Sequence, residues 1–127
     1  MSSNLFSQEE SLKPVLKVLV DEKALDYINL NQVAIISSTK QKKKDEKETY
    51  ADCRRATKRE FFFTKLVYII TVYPLFFELN QEQQKVILWH ELLHIGKEFD
   101  GSVREHDVEE FFEIIPYRFK KELGEYF

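Results

Sequence analysis

Hydrophobic side chains recur at different periods along this chain and predict its first elements. Residues 7–28 repeat apolar positions every three to four residues, which predicts an amphipathic helix with Pro14 in its first turn. Residues 32–37 are rich in β-branched side chains, which predicts a short strand. Residues 65–73 are apolar almost throughout, and this predicts a central strand that is buried on both faces and ends at Pro74.

A second helix is predicted from Asn80 to about Ile95. Asn80 and Gln83 have the spacing of a capping box, and Gly96 follows the last apolar position as a stop signal. The second half of this segment is apolar on almost every side, so the pattern predicts that the helix is buried.

The C-terminal segment predicts a turn and then a last helix. Asp100-Gly101 is typical of a turn, and Asp107 with Glu110 forms another capping box. The apolar positions of the last helix lie on one face, and Pro116 is expected to kink it.

A run of charged residues separates the first strand from the central one. Residues 39–49 contain both lysines and acidic residues and no aromatic residue, which predicts an exposed loop. A nucleic-acid contact through Lys42, Lys43 and Lys44 is the less favoured alternative. For residues 50–58 the sequence leaves strand and helix both open.

Composition then narrows the class of protein. A chain of 127 residues with 43% hydrophobic residues predicts one domain, residues 1–127, with its own core. The formal net charge of −3 gives no reason to expect a nucleic acid or a membrane as partner. Cys53 is the only cysteine, which excludes an internal disulfide, fits a reducing compartment and favours a buried structural thiol. With no apparent secretory signal or membrane span, the expected location is the cytoplasm.

The predicted buried helix contains the sequence His90-Glu91-Leu92-Leu93-His94. Residues four apart lie on the same face of a helix, so His90 and His94 can bind one metal ion through their ring nitrogens. Glu91 is rotated by about 100° from that face, which places it beside the ion rather than on it. Buried polar groups are destabilising unless they are paired, and a metal ion would pair these. The spacing therefore predicts a zinc site with Glu91 as the catalytic base.

A catalytic zinc site needs a third protein ligand if one position is to stay open. His106 is the preferred choice, because it follows His94 by only twelve residues and the glycines between them let the chain turn back. Asp107 is its main rival. Three glutamates of the predicted last helix also stay open as ligands: Glu109, Glu110 and Glu113.

These residues resemble the putative phage metallopeptidase family, which consists of small zincin-like proteins of viruses and mobile elements. Two segments carry the resemblance, His90-Glu91-Leu92-Leu93-His94-Ile95 and His106-Asp107-Val108-Glu109-Glu110-Phe111. Glu110 stands where the family usually has aspartate, and the resemblance covers about residues 32–115. It implies that His90, His94 and His106 bind the metal and that Glu91 is catalytic. It implies no particular substrate.

The residues and the resemblance together predict an α+β fold of the zincin type. The expected architecture is a small mixed sheet, a central helix with the His-Glu-x-x-His motif, and a C-terminal helix. The functional hypothesis is zinc-dependent hydrolysis of a peptide or protein substrate, in which the metal activates water and Glu91 acts as general base. If the chain is viral, it would act in the host cytoplasm. The alternative is a non-catalytic, zinc-stabilised binding module, in which Asp107 joins the three histidines. The oligomeric state stays open.

Overall fold

The computed structural model describes residues 6–44 and 46–104. They form an α+β fold, as predicted. Its elements in chain order are β1 (Phe6–Gln8), α1 (Lys13–Glu22), β2 (Val33–Ser38), β3 (Lys42–Lys44), β4 (Lys47–Thr49), β5 (Ala51–Arg55), α2 (Lys58–Thr64), β6 (Tyr68–Val72) and α3 (Gln81–Leu93). The predicted C-terminal helix lies outside the described residues.

Four of the strands form one mixed sheet in the order β1-β2-β6-β5. β2 runs parallel to β6, with Val33 opposite Tyr68, while β1 and β5 run antiparallel to their neighbours. All five residues of β6 are buried, which confirms the prediction of a central strand. The strand is shorter than predicted because Lys65 ends α2 in the left-handed region, at a φ of 62°.

The hydrophobic core lies between the sheet and the two longer helices. α1 packs against α3, and α3 packs against β5. Alternate residues of the strands point into this core, as the two-residue period of a strand requires. The sheet contributes Val33, Ile35, Ala51, Tyr68, Ile70 and Val72, and the helices contribute Leu16, Leu19, Leu88, Leu92 and Leu93. No helix among the described residues is long and apolar enough to cross a membrane.

The first helix is shorter than the hydrophobic pattern predicts. The segment that begins at Phe6 pairs with β2 as an edge strand, and α1 starts only at Lys13, with Pro14 in its first turn as predicted. α1 ends at Glu22, and a buried Leu25 and Ile28 reach the core from the following turn. The prediction of one helix over residues 7–28 is therefore wrong at both ends. At the C-terminal end, the apolar residues of a turn reach the core at a spacing that also fits a helix.

The charged run forms an exposed hairpin, β3–β4, and not an irregular loop. Its predicted exposure is confirmed. Two of its lysines form ion pairs within the protein: Lys42 Nζ lies 2.7 Å from Asp52 Oδ2, and Lys43 Nζ lies 3.9 Å from Glu48 Oε2. Lys43 and Glu48 face each other across the hairpin, so the mixed charges that argue against a nucleic-acid surface also supply one cross-strand pair.

The segment after β5 forms α2, a short helix that the hydrophobic pattern does not predict. Thr57 and Glu60 form a reciprocal capping box at its start. Glu60 also accepts hydrogen bonds from both terminal nitrogens of Arg54, at 2.8 and 2.9 Å. The Arg54 hydrogen bond, followed by the backbone hydrogen bond from Thr57, lowers the pKa of Glu60 to about 2.

The substitution Glu60→Gln should flatten the pH dependence of stability in the acid range. The folded-state pKa of about 2 lies below the ordinary value of 4.5, so the stabilisation is fully present above pH 4.5 and is lost as pH falls towards 2. Urea unfolding across this range measures the effect. Glu78→Gln, at an exposed position, is the control. An equal change in both variants would contradict the assignment to Glu60.

Candidate metal centre

The motif is carried by α3, whose start matches the sequence prediction. Asn80 Oδ1 accepts a hydrogen bond from the Gln83 backbone N–H at 2.8 Å, and Gln83 Oε1 accepts one from the Asn80 N–H at 3.0 Å. This capping box fixes the helix start and hence the rotation of every later residue about its axis. α3 ends at Leu93, and His94 is its C-terminal cap residue with helical backbone angles.

The helix passes from solvent into the core along its length. Its first turn is exposed, whereas the buried residues of its second half are Val86, Leu88, Trp89, Glu91, Leu92 and Leu93. The predicted burial is confirmed for this second half. Glu91 is only 5% exposed, and it is the one charged side chain buried in the described part of the chain. The carboxylate therefore lies in a region of low dielectric, where charges interact strongly.

His90, Glu91 and His94 bring their polar atoms to one place. One ligand atom from each lies within 4.8 Å of the other two, and the two imidazole rings are 5.0 Å apart between centroids. Imidazole nitrogens with a nearby carboxylate are donors that suit Zn²⁺. The residues that the sequence predicts as the core of the metal site thus fit such an ion.

The ring of His94 is oriented by the main chain of Arg104. His94 Nδ1 lies 2.8 Å from the Arg104 carbonyl oxygen. A carbonyl oxygen can only accept a hydrogen bond, so Nδ1 carries the proton and Nε2 keeps its lone pair. Metal-binding histidines characteristically have this arrangement, in which one ring nitrogen donates to an oxygen and the other binds the ion.

The loop after α3 folds back and places the Arg104 carbonyl oxygen next to the ring of His94. Ile95 and Val103 form an antiparallel bridge, and the Arg104 N–H donates to the His94 carbonyl oxygen at 2.6 Å. Gly96 allows the close approach: a Cβ there would overlap the Ser102 side chain and lie 3.0 Å from its carbonyl oxygen. The helix has ended before Gly96, so this glycine serves packing and is not the helix stop that the sequence suggested.

The tip of this loop is anchored to the sheet by Tyr68. The buried Tyr68 hydroxyl donates to the Ser102 carbonyl oxygen at 2.6 Å and accepts from the Gly101 N–H at 3.1 Å. Gly101 has a φ of +94°, which confirms the predicted turn and suits glycine. Sequence reasoning missed both Tyr68 and the Arg104 carbonyl, because a core tyrosine and a backbone oxygen carry no motif.

The remaining predicted ligands lie outside the described residues. This applies to His106 and its alternatives Asp107, Glu109, Glu110 and Glu113.

Cys53 lies on β5 near Glu91, and its thiol is held in the protonated form. Burial raises the pKa of the Cys53 thiol, and the carboxylates of Glu91 and Asp52 raise it further. Because only the thiolate is a good nucleophile, a thiol held protonated is inert. This supports the prediction of a structural cysteine.

Tyr68→Phe should destabilise the protein by about 1–3 kcal/mol, because it leaves the Gly101 N–H and the Ser102 carbonyl without their shared partner. Tyr50→Phe, at a position that is 37% exposed, is the matched control and should change stability little. The free energies of unfolding from urea titrations compare the two. Equal stability of the two variants would show that the hydroxyl does not anchor the loop.

The chain as a whole matches one known protein family. No curated protein and no solved structure matches the chain. One family model does match, described as "Putative phage metallopeptidase", and its match extends over residues 5–126. The match covers nearly the whole chain. It includes β1 and α1, which lie outside the residues 32–115 covered by the resemblance in the motifs. The chain therefore belongs to the putative phage metallopeptidase family.

Proposed function

We propose that this protein is a zinc-dependent metallopeptidase in which His90, His94 and His106 hold the metal and Glu91 is the general base. One observation supports this most directly: the donor atoms of the half-buried His90 and His94 and of the buried Glu91 lie within 4.8 Å of one another. Family membership supports a peptidase as the class of enzyme. A viral or mobile-element origin, and action in the host cytoplasm, are part of the same proposal.

The assignment of His106 is supported by its closeness in sequence to Arg104. The Arg104 carbonyl oxygen lies 2.8 Å from Nδ1 of His94, and His106 follows Arg104 by two residues. Two residues of chain span at most about 7.6 Å, so this spacing allows a histidine at position 106 to reach an ion bound to His94.

The chemistry of hydrolysis requires an acid and a base at the scissile bond. A zinc ion bound by these histidines would supply the Lewis acid and make a water molecule acidic near neutral pH. Glu91 can then accept the proton of the attacking water and pass it to the leaving amine. The buried position of its carboxylate excludes bulk water from that transfer and fixes the direction of the side chain.

The sheet offers a place for an extended peptide. β5 is an edge strand that pairs only with β6 among the described residues, and α3 packs against it. A peptide can add to such an edge through main-chain hydrogen bonds, which bind a sequence without reading its side chains. We propose that the substrate backbone lies along β5, next to the motif helix.

Glu91→Gln should lower the rate of peptide hydrolysis by about 100- to 10,000-fold, because the amide cannot accept the proton. Zinc content should stay at one ion per chain, because all three proposed histidine ligands remain. Peptide cleavage and metal analysis of the same preparation test this. The control is Glu82→Gln, an exposed glutamate in the first turn of α3. Full activity in Glu91→Gln would refute the mechanism, and a zinc-bound wild type without hydrolysis would favour the non-catalytic binding module.

His106→Ala should weaken zinc binding by more than about 100-fold, because the loss of a ligand exceeds the 10- to 100-fold effect of losing a group that only orients one. Competition with a chromophoric chelator measures the affinity. Asp107→Asn is the matched variant and should bind zinc as the wild type does. If Asp107→Asn loses affinity and His106→Ala keeps it, the third ligand is Asp107.

A further inference from the structure

A cavity of about 350 Å³ opens beside the metal centre, and none of the three motif residues lines it. It lies between the end of β5, the start of α2 and the turn that contains Gly101. Its volume is near the lower end of the ~300–1,000 Å³ typical of small-molecule sites, so it suits one side chain rather than a length of peptide.

The cavity shares two walls with the metal centre. The first is β5, on which Cys53 faces Glu91 while Arg55 lines the cavity. Residues two apart on a strand point to the same face about 6.7 Å apart. The second wall is the loop that returns to His94, since its Phe99 also lines the cavity. If an extended peptide lay along β5 with its scissile bond at Glu91, the side chain one or two residues from that bond would lie at the opening of the cavity.

The cavity is apolar inside and positively charged at its rim. Its apolar lining residues are Ala56, Phe61, Leu66, Val67 and Phe99. Its charged lining residues are Arg55, Lys58 and Asp100, two cations and one carboxylate, which leaves one net positive charge. Asp100 is also engaged in its own turn, where Oδ1 accepts from the Ser102 N–H at 3.0 Å. Such a rim disfavours lysine and arginine side chains.

We propose that this cavity is the specificity pocket of the peptidase and that it selects substrates with a large apolar side chain, phenylalanine or leucine, within two residues of the cleaved bond. The inference rests on the proposed peptidase function. An aromatic or leucine side chain fills the apolar interior, whereas an acidic side chain would leave that interior empty. The residues that line the cavity determine which substrate side chain it accepts, so a substitution of a lining residue should change the substrate preference.

Phe61 and Phe63 provide a matched pair of variants on one short helix. Phe61 lines the cavity and is 42% exposed, whereas Phe63 does not line it and is 76% exposed. Phe61→Ala removes one wall, and Phe63→Ala removes the same number of atoms from the surface. Thermal unfolding of both variants establishes that each is folded before selectivity is compared.

The first experiment measures cleavage of blocked polyalanine peptides in which one residue is replaced by Phe, Leu, Glu or Lys at successive positions. The zinc-loaded wild type should cleave the Phe and Leu peptides at least about tenfold faster than the Glu and Lys peptides at one position. Phe61→Ala should lose that preference, and Phe63→Ala should keep it. A preference for Glu, or a Phe preference that survives Phe61→Ala, would overturn the pocket.

The second experiment keeps the inference separate from the peptidase itself. Binding of the same peptides to the zinc-loaded Glu91→Gln chain is measured by calorimetry, so no turnover is needed. The Phe peptide should bind about tenfold more tightly than the unsubstituted alanine peptide, and Phe61→Ala should abolish this difference. Selective binding without any hydrolysis by the wild type would refute only the proposed function. Equal binding of the Phe and alanine peptides would refute the pocket.

Discussion

The burial of Glu91 is the constraint around which the rest of this structure is arranged. A carboxylate that is 5% exposed inside a hydrophobic core is destabilising unless its charge is balanced. Burial raises the pKa of the neighbouring Cys53 thiol, and the Glu91 carboxylate raises it further. A divalent cation among His90, Glu91 and His94 would balance the carboxylate and would be bound by the lone pairs of the two histidines. Apolar surroundings make the burial of an isolated carboxylate destabilising. The same surroundings would make the carboxylate an effective base beside a metal.

The helix alone does not complete this centre. His94 is the cap residue of α3, where a side chain has more freedom than in the helix interior, and its ring is fixed by the Arg104 carbonyl. That carbonyl arrives because Gly96 lets the loop approach Ser102 and because Tyr68 holds the turn at Gly101. The orientation of one imidazole therefore depends on a chain of contacts that begins in the central strand. The geometry of the candidate metal centre therefore depends on the sheet and the loop as much as on the five-residue motif.

These dependencies determine how far the sequence could predict the molecule. The local signals were sufficient for α3, where the Asn80 capping box and the spacing of His90 and His94 are both short-range. They were also sufficient for β6, because a short, continuous apolar run that is rich in β-branched residues is typical of a strand buried on both faces. They failed for β1 and for the hairpin β3–β4, since pairing between strands depends on residues distant in sequence. They missed α2 because its apolar residues, Phe61 to Phe63, are consecutive and follow no helical period, although Thr57 and Glu60 carry a capping signal.

The candidate metal centre and the proposed substrate cavity come from one continuous segment of the chain. The edge strand β5, the helix α2, the central strand β6, the helix α3 and its return loop follow one another within residues 51–104. Every group assigned to the centre or to the cavity among the described residues comes from this segment. α1 packs against α3, and β2 pairs with β6. They supply core residues such as Leu16 and Val33, so their role is to hold α3 and β6 in place. A substitution in α1 should therefore act on the site through stability, whereas one in the segment from β5 to the return loop acts on its geometry. β5 runs antiparallel to β6 and is the last strand of the sheet among the described residues, so its free edge lies next to the motif helix, where an extended peptide would reach it.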